Sequence, residues 1–220
     1  FDRNSFCLKG YSCIQNIIVI DVTDLLCIVC SGLPNSICWF HEIIFYLSFC
    51  FICKCTCIFS FDKLSVFYLA EAKNNAFEHG YKGAQYVWES SDTGFEDTPV
   101  FAMTGPFEHS ITGCVGFAAW QYYCVTQDKN WLLGKGYPIL KETADFWLSR
   151  VTQGEDGYYH IPNVVAADEW AENIDDDAFT NGIAKMNLIC AAKAARVLNL
   201  PVNAEWERVA DKIKFWQFDD

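Results

Sequence analysis

From about residue 62 onward the apolar positions of this 220-residue chain recur at helical spacing, with polar residues between them. Leu69, Ala72 and Ala76 fall on one helical face, and Gly80 stands where a residue free to take left-handed backbone angles would end that helix. Ile111, Val115, Ala118, Ala119 and Tyr122 follow the i, i+4, i+7, i+8 rule, and Leu140, Ala144, Trp147, Leu148 and Val151 repeat it. A fourth helix is predicted from Ile183, Met186, Ile189 and the AAKAARVL run, and a fifth from Trp206, Val209, Ala210 and Ile213. The joins at 127–137 and 199–203 are short, whereas those at 81–109 and 152–181 are far longer than connections that only link helices. One short strand is predicted, in GYYHIP at residues 157–162. The pattern is that of an all-α array with its long loops gathered at one end, as in an α/α toroid.

The first 62 residues follow other rules. Nine of the 12 cysteines stand there: Cys7, Cys13, Cys27, Cys30, Cys38, Cys50, Cys53, Cys55 and Cys57. Cys27 with Cys30 and Cys50 with Cys53 have zinc-ligand spacing, but their surroundings are apolar rather than turn-rich. The stretch from Ile43 to Phe61 resembles a membrane span interrupted by Ser48, Lys54, Thr56 and Ser60. With no clear period, caps or charge balance, residues 1–62 read as a Cys-rich apolar segment apart from the fold, such as an untranslated stretch read as protein. Residues 63–220 read as the folded unit.

Composition narrows the choice of ligand. With 52% hydrophobic and 16% aromatic residues the chain can bury a sizeable core in one domain. A net charge of -12 argues against nucleic acid and anionic membrane surfaces as partners, because phosphates would be repelled. The chain opens on Phe1 without the basic stretch and apolar core of a signal peptide, and the sequence reads as a fragment.

Negative charge is concentrated in VVAADEWAENIDDDAFTNG, where Asp168, Glu169, Glu172, Asp175, Asp176 and Asp177 stand close together without a Lys or Arg. The run lacks the alternating ligands and glycine of a calcium loop, and no metal or other cofactor is expected. It holds Trp170 beside Glu169, and the other long loop holds Trp88 beside Glu89. An indole can stack on the C–H face of a pyranose while a carboxylate accepts from its hydroxyls, and a glycosidic oxygen needs a protonated carboxylic acid nearby. Crowding of the neighbouring carboxylates around Glu169 is expected to hold its proton near neutral pH, suiting it to act as a general acid. Core packing is the alternative for both tryptophans. His109, in front of a helix, is either a ligand contact or a satisfied structural histidine, and Asn181 reads as a turn or cap residue.

GYKGAQYVWES, then EHSITG with AAWQYY, then ADFWLSR, then AADEWAENIDDDAFTNG resemble, in order and spacing, glycoside hydrolase family 65. That family includes acid trehalases, glucosylgalactosyl-hydroxylysine glucosidases and the maltose, kojibiose and trehalose phosphorylases. The resemblance covers residues 66–215 and implies an (α/α)6 toroid of the six-hairpin glycosidase type, incomplete here, with an inverting mechanism. It implies that Glu169 is the general acid and that Trp88 and Glu89 hold the non-reducing glucose; Asp168, Trp170 and His109 are expected beside them as substrate contacts. The family's N-terminal β-sandwich has no counterpart in residues 1–62. Asp176-Asp177 stands where an Asn pair or Asp-Asn is common, and Cys114 where an acidic residue is frequent. The second catalytic carboxylate, the phosphate loop and a Lys-Gln sugar contact come later in the family than this chain reaches. The expected function is inverting hydrolysis of an α-glucosidic bond in a disaccharide or glycan. A disaccharide phosphorylase and a non-catalytic carbohydrate-binding helical module are the alternatives.

Overall fold

A computed structural model describes residues 68–216 of the chain. The Cys-rich segment, its paired cysteines and the apolar stretch ending at Phe61 lie outside these residues. The described part is mostly helical. Helix α1 is Leu69–Glu78, α2 is Thr104–Phe107, α3 is Ser110–Thr126, α4 is Lys129–Trp131 and α5 is Tyr137–Arg150, while α6 is Ala178–Val197 and α7 is Ala204–Lys212. Strands β1, Thr152–Gln153, and β2, Tyr159–His160, pair antiparallel in the long loop after α5.

Each predicted helix forms, and the caps explain where. Gly80 takes φ +80°, and the amides of His79 and Tyr81 donate to the carbonyls of Asn75 and Ala76, which closes α1. Asp177 caps α6 by accepting from the amide and hydroxyl of Thr180, both at 2.8 Å. Asn203 does the same for α7 at the amide of Glu205.

Two expectations are corrected. The join at 127–137 is mostly helical. Asp128 accepts from the amides of Asn130 and Trp131 and starts α4, which runs through a π-helical turn at Leu132–Gly136 directly into α5. Gly134 and Gly136 lie in that π-helical turn and Pro138 in the first turn of α5. Gly136 lets the Trp131 ring lie on the backbone, since a Cβ there would sit 2.4 Å from Trp131 Cζ3. The second correction concerns α3, whose core face is Thr112, Gly113, Gly116, Ala119, Trp120 and Tyr123 rather than the stripe through Ile111, Val115 and Tyr122. The cause is the approach of α6: a Cβ on Gly113 would meet Ile183 at 2.9 Å, and one on Gly116 would meet Asn187 Nδ2 at 2.2 Å. The displaced apolar stripe is half-buried, and part of it lines a cleft.

The core lies where α3, α5, α6 and α7 pack together. Buried alanines on α6, among them Ala184, Ala191 and Ala194, keep the helices close, and Trp147, Phe146 and Trp206 fill the space between. Two indoles in this core are paired across helices: Trp147 Nε1 donates to Asn187 Oδ1 at 3.0 Å, and Trp206 Nε1 to Asp145 Oδ1 at 2.9 Å. The loop after α1 runs hard against α5, with the Ala84 amide donating to the Glu142 carbonyl at 2.9 Å. Gly83 beside it, at φ +72°, leaves no room for a side chain.

Candidate active site

The two long loops meet at the N-terminal end of α3. On one side the Tyr86 amide donates to Thr112 Oγ1 at 3.0 Å, fixing the segment that carries Trp88 and Glu89. On the other, the Val165 amide donates to the Phe107 carbonyl at 3.1 Å, fixing the segment that carries Asp168, Glu169 and Trp170. Glu108 and His109 stand between these two attachments.

The acidic run is a hairpin with a locked base. The amides and carbonyls of Val164 and Ile174 exchange two hydrogen bonds of 2.9 Å, and the Ala166 amide donates to the Ala171 carbonyl at 3.0 Å. Asp168 folds the tip by accepting from the Trp170 amide at 3.1 Å. Asp175 accepts from the Asn163 amide at 2.8 Å, and Asp176 from the Ile161 amide at 3.0 Å. Asp176 also receives Asn181 Nδ2 and holds His160 Nδ1 at 2.6 Å, while Asp156 holds His160 Nε2 at 3.0 Å. Those two carboxylates, Asp176 foremost, raise the pKa of His160. Asn163, Asn173 and Asp176 all take left-handed backbone angles, near φ +51° to +57°, a conformation that Asn and Asp tolerate best after glycine.

Four carboxylates of the run are engaged by amides and side chains of the hairpin and of α6. Asp168, Asp175, Asp176 and Asp177 are acceptors that shape the hairpin and cap α6. Asn181 is not a cap; it is fully buried inside α6 and donates to the Lys214 carbonyl at 2.7 Å.

At the tip, Asp168, Glu169 and Trp170 are exposed, Trp170 at 93%. Core packing is thereby excluded for Trp170, whose indole faces solvent as a surface for a ligand would. Trp88 is half-buried and lines an apolar cleft of about 250 Å³ with Tyr68, Tyr86, Ile111 and Val115. Glu89 is exposed beside it. The Glu96 carboxylate holds this loop from below, accepting from the amides of Trp88 at 3.0 Å and Glu89 at 3.2 Å.

His109 belongs to the frame. It is 2% exposed; Arg150 Nε donates to its Nδ1 at 2.9 Å, and its Nε2 donates to the Pro106 carbonyl at 3.0 Å. Both ring nitrogens are used within the protein, so the structural alternative replaces a direct sugar contact. Burial, then the Arg150 charge, lowers its pKa to about 3, and the ring is neutral.

Glu108 was missed by sequence reasoning. It is 2% exposed, accepts from Ser110 Oγ through Oε1, and its Oε2 is buried with no partner among the described residues. Burial raises its pKa to about 7, aided by the negative charges of Asp177 and Glu169, while the Ser110 contacts oppose the rise. The available signal was a carboxylate in the otherwise uncharged stretch TGPFEHSITG.

A mostly helical domain with carboxylate- and aromatic-bearing loops held at one helix end is the class that this fold and site define. Residues 64–217 match the model of the glycosyl hydrolase family 65 central catalytic domain, and the chain belongs to that family. It is 60% identical over 152 residues to a kojibiose hydrolase from Mucilaginibacter mallensis, covering 69% of this chain and 22% of the relative. It is 44% identical over 131 residues to a kojibiose phosphorylase from Caldanaerobacter subterraneus subsp. tengcongensis, covering 54% of this chain and 17% of the relative. It is 41% identical over 142 residues to a protein-glucosylgalactosylhydroxylysine glucosidase from Gallus gallus, covering 64% and 20%. A solved structure from the human microbiome described as a kojibiose phosphorylase shares the fold, with a TM-score of 0.59 at 20% identity over 68% of this chain and 24% of that one. The chain spans about one fifth of the length of the curated relatives it matches.

Proposed function

We propose that residues 63–220 form the general-acid side of an (α/α)6 catalytic toroid that hydrolyses an α-glucosidic bond with inversion, kojibiose being the first substrate to test. Residues 1–62 stand apart from that domain, a boundary supported by the start of the family match at residue 64. The observation that carries the proposal is the Asp168-Glu169-Trp170 tip, held out to solvent on a hairpin whose base is bonded to α2, α5 and α6.

Glu169 donates its proton to the leaving glycosidic oxygen, and Trp170 offers the indole face for a pyranose. Trp88 and Glu89, on the loop that meets the same end of α3, bind the sugar. An inverting hydrolase needs a second carboxylate roughly 6.5–9.5 Å from the first, with a water between them. That base is assigned to sequence outside this chain. The 60% identity to a kojibiose hydrolase supports hydrolysis, while the 44% identity to a kojibiose phosphorylase supports attack by phosphate as the second reading.

The test uses the protein with its natural flanking sequence. Glu169→Gln keeps shape while removing the transferable proton, so turnover of kojibiose should fall by about 10²- to 10⁴-fold with binding little changed. An α-glucosyl fluoride, whose leaving group needs less protonation, should lose less, and Glu172→Gln should be milder than Glu169→Gln on both. Equal losses on the two substrates, or a larger effect at Glu172, would remove Glu169 from the acid's place. Cleavage that requires phosphate and yields a glucosyl phosphate would move the reading to the phosphorylase.

A further inference from the structure

We propose that His160 is a positioning residue for the hairpin that presents Glu169: as an imidazolium it joins the buried Asp176 at the hairpin base to Asp156 in the turn between β1 and β2, and loss of its proton releases that joint. For catalysis the inference rests on Glu169 being the acid, whereas the joint itself stands on distances within the frame. Nδ1 lies 2.6 Å from Asp176 Oδ2, and Nε2 lies 3.0 Å from Asp156 Oδ1. A neutral imidazole carries one N–H, so it can donate to only one of these carboxylates and turns a lone pair towards the other. Only the doubly protonated ring satisfies both.

The charged groups around the ring come from each segment packed against it. The Asp176 side chain is 2% exposed; its Oδ1 accepts from the Ile161 amide and from Asn181 Nδ2, and its positive partner is His160. The Asp156 side chain is 40% exposed; its Oδ1 also accepts from the Tyr158 amide, and its Oδ2 holds Lys214 Nζ at 3.0 Å, which ties the turn to the segment after α7. Arg208 of α7 lies over the neighbouring Tyr159 ring and is paired with Glu205. Gly154 backs the imidazole, since an added Cβ there would stand 2.6 Å from Nε2.

Removal of the proton affects the two carboxylates unequally. Asp156 keeps Lys214 and contact with solvent, whereas the buried Asp176 loses its counter-charge. The neutral ring therefore keeps its N–H on Asp176 and lets Asp156 go. The hairpin base is then no longer joined to the β1–β2 turn or, through Lys214, to the chain after α7. Both carboxylates, Asp176 foremost, raise the His160 pKa above 6.5, so the stability contributed by the joint is fully present below 6.5 and is lost as pH rises through the raised value.

Deuterium exchange reads the joint without turnover, in the protein with its natural flanking sequence and corrected for the intrinsic rate at each pH. The amides of Tyr158 and Ile161, which donate to Asp156 and Asp176, should lose protection about tenfold as pH rises past 6.5, the equivalent of one pKa unit. His160→Ala should show that loss at every pH. Asp176→Asn should abolish the pH dependence: its carbonyl oxygen can still accept from Ile161, its amide can donate to an unprotonated Nδ1, and the neutral ring can then donate to Asp156. Protection in the wild type that does not change with pH, or changes equally in Asp176→Asn, would overturn the joint.

The positioning role is read from kcat on an α-glucosyl fluoride, which depends less on the Glu169 proton. As pH rises past 6.5 the wild type should lose activity relative to Asp176→Asn. A ratio of the two that is independent of pH would overturn that role. Failure of the acid assignment is read separately, from Glu169→Gln on kojibiose, and leaves the exchange result standing.

Discussion

Arg150 is 7% exposed at the C-terminal end of α5, and two of its nitrogens donate to the frame of the site. Nε goes to His109, and Nη2 goes to the carbonyls of Pro162 and, at 3.3 Å, Asn163. One side chain thus ties α5 to the turn before α3 and to the start of the acidic hairpin. Arg150→Met should cost about 3 kcal/mol, because it leaves His109 Nδ1 and two carbonyls short of donors, and it should loosen the hairpin as well. Urea unfolding gives the first quantity. His109 supplies a pH signature opposite to that of Glu108, whose pKa, raised from 4.5 to about 7, makes its share of the stability fall as pH rises between those values. Its pKa is about 3 when folded and 6.5 when unfolded, so the stability it carries is present above 6.5 and lost as pH falls towards 3. Between 4.5 and 6.5 the slopes from His109 and Glu108 oppose each other, and a flat stability maximum is expected there. His109→Asn should weaken the acid-side decline and turn the flat region into a fall that begins near 4.5; a plateau that persists unchanged would sink the assignment.

Among the elements, α1 and α7 were readable from spacing alone because apolar side chains mark their buried faces: Ala72 and Ala76 beside Asn75 in one, Trp206, Val209 and Ala210 in the other. The face of α3 was not readable, because glycine and threonine carry no apolar signal and a close-packed interface selects them for what they lack. The run from α4 to α5 was hidden by Gly134 and Gly136, of which Gly136 serves packing rather than a turn. Gly116→Ala forces a methyl into Asn187 and should destabilise by about 1–3 kcal/mol, an overpacking cost. Gly134→Ala, where nothing lies within 4 Å of the added methyl, should be neutral or stabilising by up to about 1 kcal/mol. Equal effects in urea titrations would refute the close α3–α6 contact. The motif-bearing loops were legible as to which residues matter at the tip. Their attachments were not, since Val165 to Phe107 and Arg150 to Pro162 depend on backbone atoms that sequence does not distinguish.

At the scale of the whole molecule, the described surface exposes Phe77 at 82%, Val100 at 103%, Phe101 at 84% and Val125 at 69%, alongside a net charge of -12. The chain expressed alone should bind an apolar dye and self-associate with increasing concentration, and extending it with its natural flanking sequence should reduce both. A sharply melting monomer without dye binding would count against that expectation. Among the described residues no helix is long and apolar enough to cross a membrane, and no group of three His, Cys, Asp or Glu is placed to hold a metal.

The locked base of the acidic hairpin has a consequence for how this surface can change. The amides of Val164, Val165 and Ile174 are held by Ile174, Phe107 and Val164, and should exchange with deuterium as slowly as the helices that anchor them, whereas the amides of Asn173 and Glu172 should exchange quickly. Residues at the tip can then be replaced without disturbing the rest of the fold. Divergence of sugar preference among relatives of this chain would accordingly concentrate between Trp170 and Asn173, beside an unchanged Glu169, while Val164, Ile174 and Asp176 stay fixed as the hinge plate on which a changing tip is mounted.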